Sequence, residues 1–227
     1  MKNQIIYFSV VALFFLSLQG CEKETTAGYT DIVYYADLQL VGTSPMIVAL
    51  GEPYVEPGYV ATEREEDVTD KVEVSGSVDT NTPGVYNITY RVTSLDGFTK
   101  TVRRQVFVLP ADALVSEDVA GVYSGQRAGS ALTAAACTIS QVEEGAGVYY
   151  ATDFFGGYYN KVANYGPSYS LATYFYINAD NSVTSLSNTS PWGPWQILNG
   201  KYDAAESTFV HDVEQDGFTF KVTLTKD

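Results

Sequence analysis

The chain holds a single histidine, His211, and only 13 Lys and Arg against 27 Asp and Glu, for a formal charge of −14. A shortage of basic residues disfavours nucleic acid and anionic membrane surfaces as binding partners. There is no Gly-x-Ser-x-Gly elbow, no His-Glu-x-x-His pair and no glycine-rich phosphate loop, so the hydrolase, metalloprotease and nucleotide signatures are all missing. In Phe209-Val210-His211-Asp212-Val213 the histidine shares one strand face with Phe209 and Val213 while Asp212 points away, so the two cannot pair for catalysis on a regular strand. No catalytic residue, metal ligand or cofactor is expected, and the chain reads as a non-enzyme.

Long apolar runs are equally scarce. The one candidate, Ile5–Leu18, has the length of a signal-peptide core and is too short to span a bilayer comfortably. It follows Lys2 and Asn3 and leads through Gln19-Gly20 to Cys21. This arrangement resembles a bacterial lipoprotein signal, with Gln19 a departure from the small or apolar residue usual there. The resemblance implies removal of residues 1–20, lipid attachment at Cys21 and a membrane partner reached only through that anchor. Glu22-Lys23-Glu24 is similar to the export signals of Bacteroidetes surface lipoproteins. The expected location is the outer membrane, facing the cell surface or the periplasm. With Cys21 lipidated, Cys137 is the sole remaining thiol, which excludes an intrachain disulfide and a cysteine zinc site. Its setting, Ala134-Ala135-Ala136-Cys137-Thr138-Ile139, suits a small buried hydrophobe.

The rest divides into a polar tether to residue 30, a first domain over 31–109, a linker at 110–113 and a second domain over 114–227. Tyr86, Ile88, Tyr90 and Val92 alternate with polar residues, as do Val102, Val106 and Val108 around Arg104, and both stretches predict half-buried strands. Val72, Val74 and Val78 mark a further strand around Gly76. Glu56-Pro57-Gly58, Thr82-Pro83-Gly84 and Asp96-Gly97 supply the turns. No stretch has a helical period, so the fold class is all-β. Three motifs in order, Gly51–Gly58, Asp67–Val72 and Gly76–Tyr90, resemble a bacterial immunoglobulin-like domain, whose members are usually spacers or adhesion modules without chemistry. That resemblance implies a β-sandwich.

In the second domain Phe218, Phe220, Val222 and Leu224 alternate with Thr and Lys, placing the four apolar residues inward. Val148–Phe154 reads as a strand, and Tyr174–Asn178 and Val183–Leu186 as a hairpin about Ala179–Ser182. Tyr202 to Phe209 is strand, turn, strand. The expectation is an antiparallel β-meander, closed as a small barrel or stacked as a sandwich. An immunoglobulin-like module followed by a Tyr- and Gly-rich β-domain resembles a group of Bacteroidetes lipoproteins without an assigned activity. More loosely, the layout is similar to starch-binding outer-membrane lipoproteins.

Eighteen tyrosines and 11 phenylalanines leave the chain rich in aromatics. The candidate ligand-binding residues are Tyr158, Tyr159, Tyr165, Tyr169, Trp192 and Trp195, held among glycines and prolines that keep rings in loops. A sugar offers an apolar C–H face for stacking and hydroxyls for amides, which Asn160, Asn164, Gln196 and Asn199 can supply. The same rings also suit a barrel core. Glu63, Glu65, Glu66, Asp67 and Asp70 lack the spacing of a calcium loop and read as a solvated acidic turn. The reading is an envelope or cell-surface binding lipoprotein that captures glycan. The alternative is a structural or adhesive lipoprotein bound to another envelope protein. A glycoside hydrolase would need two carboxylates across a cleft, for which Glu143, Glu144, Asp212, Glu214 and Asp216 carry no motif.

Overall fold

A computed structural model describes residues 32–227. Residues 1–31, with Cys21 and the expected leader, lie outside the described residues. The elements are all strands joined by turns and single-turn helices. β1 (Asp37–Leu40), β3 (Tyr59–Glu63) and β4 (Glu66–Asp67) make a three-stranded sheet. Opposite lies a four-stranded sheet in the order β2 (Met46–Ala49), β7 (Thr99–Leu109), β6 (Gly84–Thr93), β5 (Glu73–Ser75). The two sheets form the sandwich the immunoglobulin-like motifs imply.

Its core is the alternation read along β6: Ile88, Tyr90 and Val92 are buried against Leu38, Ala61 and Val68. The strand expected over Val72–Val78 is shorter. Gly76 stops it, because its φ of +99° suits glycine and a Cβ there would sit 2.4 Å from the Asn87 carbonyl oxygen. Val74 is left exposed.

Arg104, which interrupts the apolar face of β7, is fully buried. Its guanidinium donates to the carbonyls of Thr43 (2.6 Å), Val41 (2.8 Å) and Gly58 (3.0 Å), and to Glu56 Oε1 (3.0 Å). The hydroxyls of Tyr54 and Tyr90 donate to Glu56 Oε2. Burial raises the Glu56 pKa, but these hydroxyls, the Gly58 N–H and Arg104 together hold it below the usual value. One cation thus ties the end of β1, the loop before β2 and the start of β3 to β7.

β7 is buried on both sides at its end. Val106 and Val108 face the sandwich, while Phe107 and Leu109 pack on Val148 and Tyr176 of the following β-region. The Phe107 and Tyr174 rings meet at 5.2 Å. A turn follows, in which the Ala113 N–H donates to Pro110 O.

The remaining strands are β8 (Gly121–Arg127), β9 (Thr133–Gln141), β10 (Val148–Ala151), β11 (Ala172–Ile177), β12 (Val183–Thr189), β13 (Gln196–Asp203), β14 (Thr208–Gln215) and β15 (Phe218–Lys226). They form one antiparallel sheet in the order β12-β11-β10-β9-β8-β15-β14-β13. The last strand pairs with the first, Thr223 opposite Gln126 and Thr225 opposite Ser124. β12 and β13 meet at a single bridge, Ser182 with Lys201. The meander is therefore a nearly closed up-and-down barrel.

Aromatic side chains fill it: Tyr123, Tyr149, Phe154, Phe175 and Phe209 are all buried in one cluster. Cys137 belongs to that cluster, and burial pushes its thiol up to about 12. His211 is buried with Phe209 and Val213 on β14. Its Nε2 lies 2.8 Å from Phe154 O, as a donor when that nitrogen carries the proton, and burial pushes its pKa down to about 4.

Candidate functional site

Two loops cover one end of the barrel. The longer joins β10 to β11. β10 ends at Ala151 rather than at Phe154, and the buried Asp153 explains why. Its Oδ1 accepts from Phe155 N (3.0 Å) and Leu171 N (3.1 Å), so one carboxylate ties both ends of the loop. Burial raises the Asp153 pKa. Phe154 and Phe155 then drop into the barrel. Gly156 and Gly157, both at positive φ, turn the chain back across the mouth. The approach is close: a Cβ on Gly125 would meet the Gly156 Cα at 2.5 Å.

The chain continues as one π-helical turn, Tyr158–Val162, and a 3₁₀ turn, Pro167–Tyr169. A π-turn has weaker hydrogen-bond geometry than an α-turn and is frequent at functional sites. Here Lys161 Nζ secures it by donating to Ala134 O at 3.1 Å and to Ala135 O.

The shorter loop, Ser190–Pro194, joins β12 to β13. The Ser190 hydroxyl accepts from Trp192 N (3.2 Å) and donates to Gly193 O (2.7 Å). Gln215 Nε2 donates to Trp192 O (2.9 Å) and Pro194 O (3.0 Å). The Asn188 amide brackets Trp195, accepting from its N–H at 2.8 Å and donating to its carbonyl at 2.7 Å. The backbone beneath Trp192 is thus fixed by side chains from two strands.

The six aromatics expected to contact ligand come together, in two layers. Trp192 lies 4.8 Å from Tyr159 and 5.2 Å from Tyr169, and Tyr165 lies 5.2 Å from Tyr169. Tyr158 packs edge-on to Tyr159 at 5.0 Å. Tyr165 and Trp192 are exposed, at 57% and 41%. Trp195, expected at the surface with its neighbour, is instead 7% exposed and packs edge-on to Phe155 at 5.0 Å. Trp192 lies within the Ser190–Gly193 turn and Trp195 lies beyond it, one ring out and the other in.

The sequence reading missed two members. Phe218, expected inward, is exposed and lies 6.3 Å from Trp195. The Arg127 guanidinium lies 4.3 Å from the ring centres of both Tyr158 and Phe220. The alternation along β15 gave no sign that Phe218, its first residue, is exposed. No local pattern marked Arg127.

The same two loops contribute to a cleft of about 560 Å³. Asp153, Asn160, Ser168, Ser170 and Ser190 supply polar groups to its wall. Ser168 and Ser170 flank Tyr169 in sequence, and Pro191, also in the wall, precedes Trp192, so the same two loops supply the rings and the cleft wall, although none of the six rings lines it. No Lys or Arg lines it, and Asp153 is its only carboxylate. Of the amides expected to meet hydroxyls, only Asn160 lines this cleft. Asn199 donates to Asp212 Oδ2 at 2.9 Å, and Gln196 lines the seam between β12 and β13. Among the described residues, no three His, Cys, Asp or Glu are placed to hold a metal ion.

Comparison with known families places both halves. Residues 38–108 match the model described as bacterial surface protein, Ig-like domain. Residues 112–226 match a BT2262-like C-terminal domain. Among solved structures, the lipoprotein BT2262 from Bacteroides thetaiotaomicron is 34% identical over 85% of this chain and 100% of its own, with a TM-score of 0.44. Two Clostridium perfringens ZmpB structures also match. One contains CBM51-2 in complex with GlcNAc and INT domains, at 12% identity over 84% of this chain and 43% of that one, TM-score 0.30. The other contains the M60 catalytic domain with CBM51-1 and CBM51-2, at 13% identity over 85% and 21%, TM-score 0.30. Likeness that weak carries no argument about ligand. Curated proteins give no match.

Proposed function

This chain belongs to the family of the Bacteroides thetaiotaomicron lipoprotein BT2262, and on that footing we propose that it is a lipid-anchored envelope protein whose barrel domain captures glycan without chemistry. Cys21 carries the lipid, the immunoglobulin-like domain over 31–109 is the spacer, and the domain over 114–227 presents the site. The observation that carries the glycan reading is the cluster of Trp192, Tyr159, Tyr169 and Tyr165, with Trp192 and Tyr165 exposed, on loops that also supply Asn160, Ser168, Ser170 and Ser190 to a polar cleft.

The chemistry matches the ligand class. A pyranose stacks its C–H face on a flat ring and turns its hydroxyls to amide and hydroxyl partners. Preorganisation favours binding, because the Trp192 backbone is already held by Ser190 and Gln215 before any ligand arrives. Trp195 and Phe155 support the platform from below and do not touch ligand. The single carboxylate in the cleft argues against a two-carboxylate glycosidase.

Sedimentation of residues 22–227 with a set of insoluble polysaccharides tests the reading. Saturable co-sedimentation with at least one, competed by its soluble oligosaccharide, is expected. Absence of binding to the whole set and to a broad glycan array would oppose it and favour a protein partner.

A further inference from the structure

The β6–β7 turn holds an apolar side chain in water on a rigid frame. Ser94 N donates to Phe98 O (2.8 Å), Gly97 N to Ser94 O (2.9 Å) and Phe98 N to Ser94 Oγ (3.1 Å). Leu95 N donates to Oε1 of the buried Glu63 at 3.0 Å. With its backbone committed inward, Leu95 projects outward and is 73% exposed. Phe98 is 43% exposed and lies 4.8 Å from Tyr35, itself 67% exposed. Lys100 shares a shallow depression with Tyr35 and Phe98. The acids nearby are engaged: Asp96 pairs with Arg64 at 3.6 Å, and Asp37 accepts from Gln39 Nε2 at 2.6 Å.

We propose that Leu95, Phe98 and Tyr35 form a tip that seats in the headgroup–acyl boundary of the bilayer carrying the Cys21 lipid. This inference rests on the lipid attachment proposed above. Tyr35 is where the chain arriving from Cys21 enters this folded unit. The 14 steps of chain from Cys21 to Tyr35 span at most about 50 Å, so the tip is confined to the neighbourhood of the membrane surface. A chain of net charge −14 is not drawn to anionic headgroups by charge, so contact has to be apolar. Leucine beside aromatic rings and a lysine able to reach phosphates is the composition of an interfacial anchor. Such a contact would fix the orientation of the folded unit against the membrane.

The test uses the lipidated mature chain, residues 21–227, in vesicles of phosphatidylethanolamine and phosphatidylglycerol. Leu95→Cys is labelled with an environment-sensitive nitrobenzoxadiazole dye, and Leu132→Cys, exposed in the β8–β9 turn, serves as the control. Cys137 is buried and stays unlabelled. On reconstitution the label at position 95 should brighten several-fold, shift to the blue and be quenched by nitroxide lipids, while position 132 stays aqueous. A label at 95 as aqueous as that at 132, on protein that floats with the vesicles, overturns the tip and leaves the anchor standing. Protein that does not float overturns the anchor and the tip together.

Discussion

The indole of Trp192 lies 4.8 Å from the ring of Tyr159, tilted by 58°, and joins loops that are 33 residues apart in sequence. Its neighbour Trp195 is buried three residues later. The two tryptophans should therefore respond differently to truncation. Trp195→Ala removes a core ring and should cost about 3–5 kcal/mol of stability, read by urea denaturation. Trp192→Ala should cost about 1 kcal/mol or less and abolish glycan binding in a folded protein.

Arg104 gives a second prediction. Its guanidinium neutralises Glu56 and satisfies three carbonyls. Arg104→Ala strands all of these and should destabilise the chain by about 3 kcal/mol, the low end for a broken buried pair because Glu56 keeps some contact with water. Thermal or denaturant unfolding measures it. Binding at the distant barrel mouth should survive wherever the variant remains folded.

His211 gives a pH dependence. Its pKa is depressed from 6.5 to about 4 in the fold, so the unfolded chain binds the proton more readily. The stability it contributes is present above pH 6.5 and is lost as the pH falls towards 4, by roughly 3 kcal/mol in total. Asp153 has the opposite sign, its raised pKa favouring the fold as acid is added. The histidine share is isolated by difference. His211→Gln, which keeps a donor for Phe154 O and never charges, should lose less stability than wild type between pH 6.5 and 4. Parallel stability curves for the two proteins would count against the assignment.

Much of the fold was legible because alternation with period two is a direct print of burial on one face. Ile88, Tyr90 and Val92 show this, and so do Phe220, Val222 and Leu224. The pattern fails where a strand is buried on both faces, as at Val106–Leu109, since the second partner leaves no periodic sign. It also fails at strand ends. Phe154 continues an apolar run, yet Asp153 ends the pairing through a carboxylate held by Phe155 and Leu171, and the bond to Leu171 crosses 18 residues. For the site, composition and Gly-Pro context picked out the aromatic loops. What separated Trp192 from Trp195 was the Asn188 bracket and the Gln215 bonds to the Trp192 and Pro194 carbonyls, which are contacts between segments.

Lipid attachment makes its own prediction. The Cys21 context resembles a lipoprotein signal, so Cys21→Ala should move the protein from membrane to soluble fractions in its native host. Unchanged membrane association would defeat that part of the account.

The central claim is that the exposed rings at the barrel mouth bind glycan. The most direct measurement is a glycan array probed with residues 22–227 beside the Trp192→Ala/Tyr165→Ala variant, both shown folded by circular dichroism. The account predicts binding to a defined set of glycans by the wild-type chain and its loss in the variant. Equal binding by both proteins, or none by the wild type across a broad array, would contradict it.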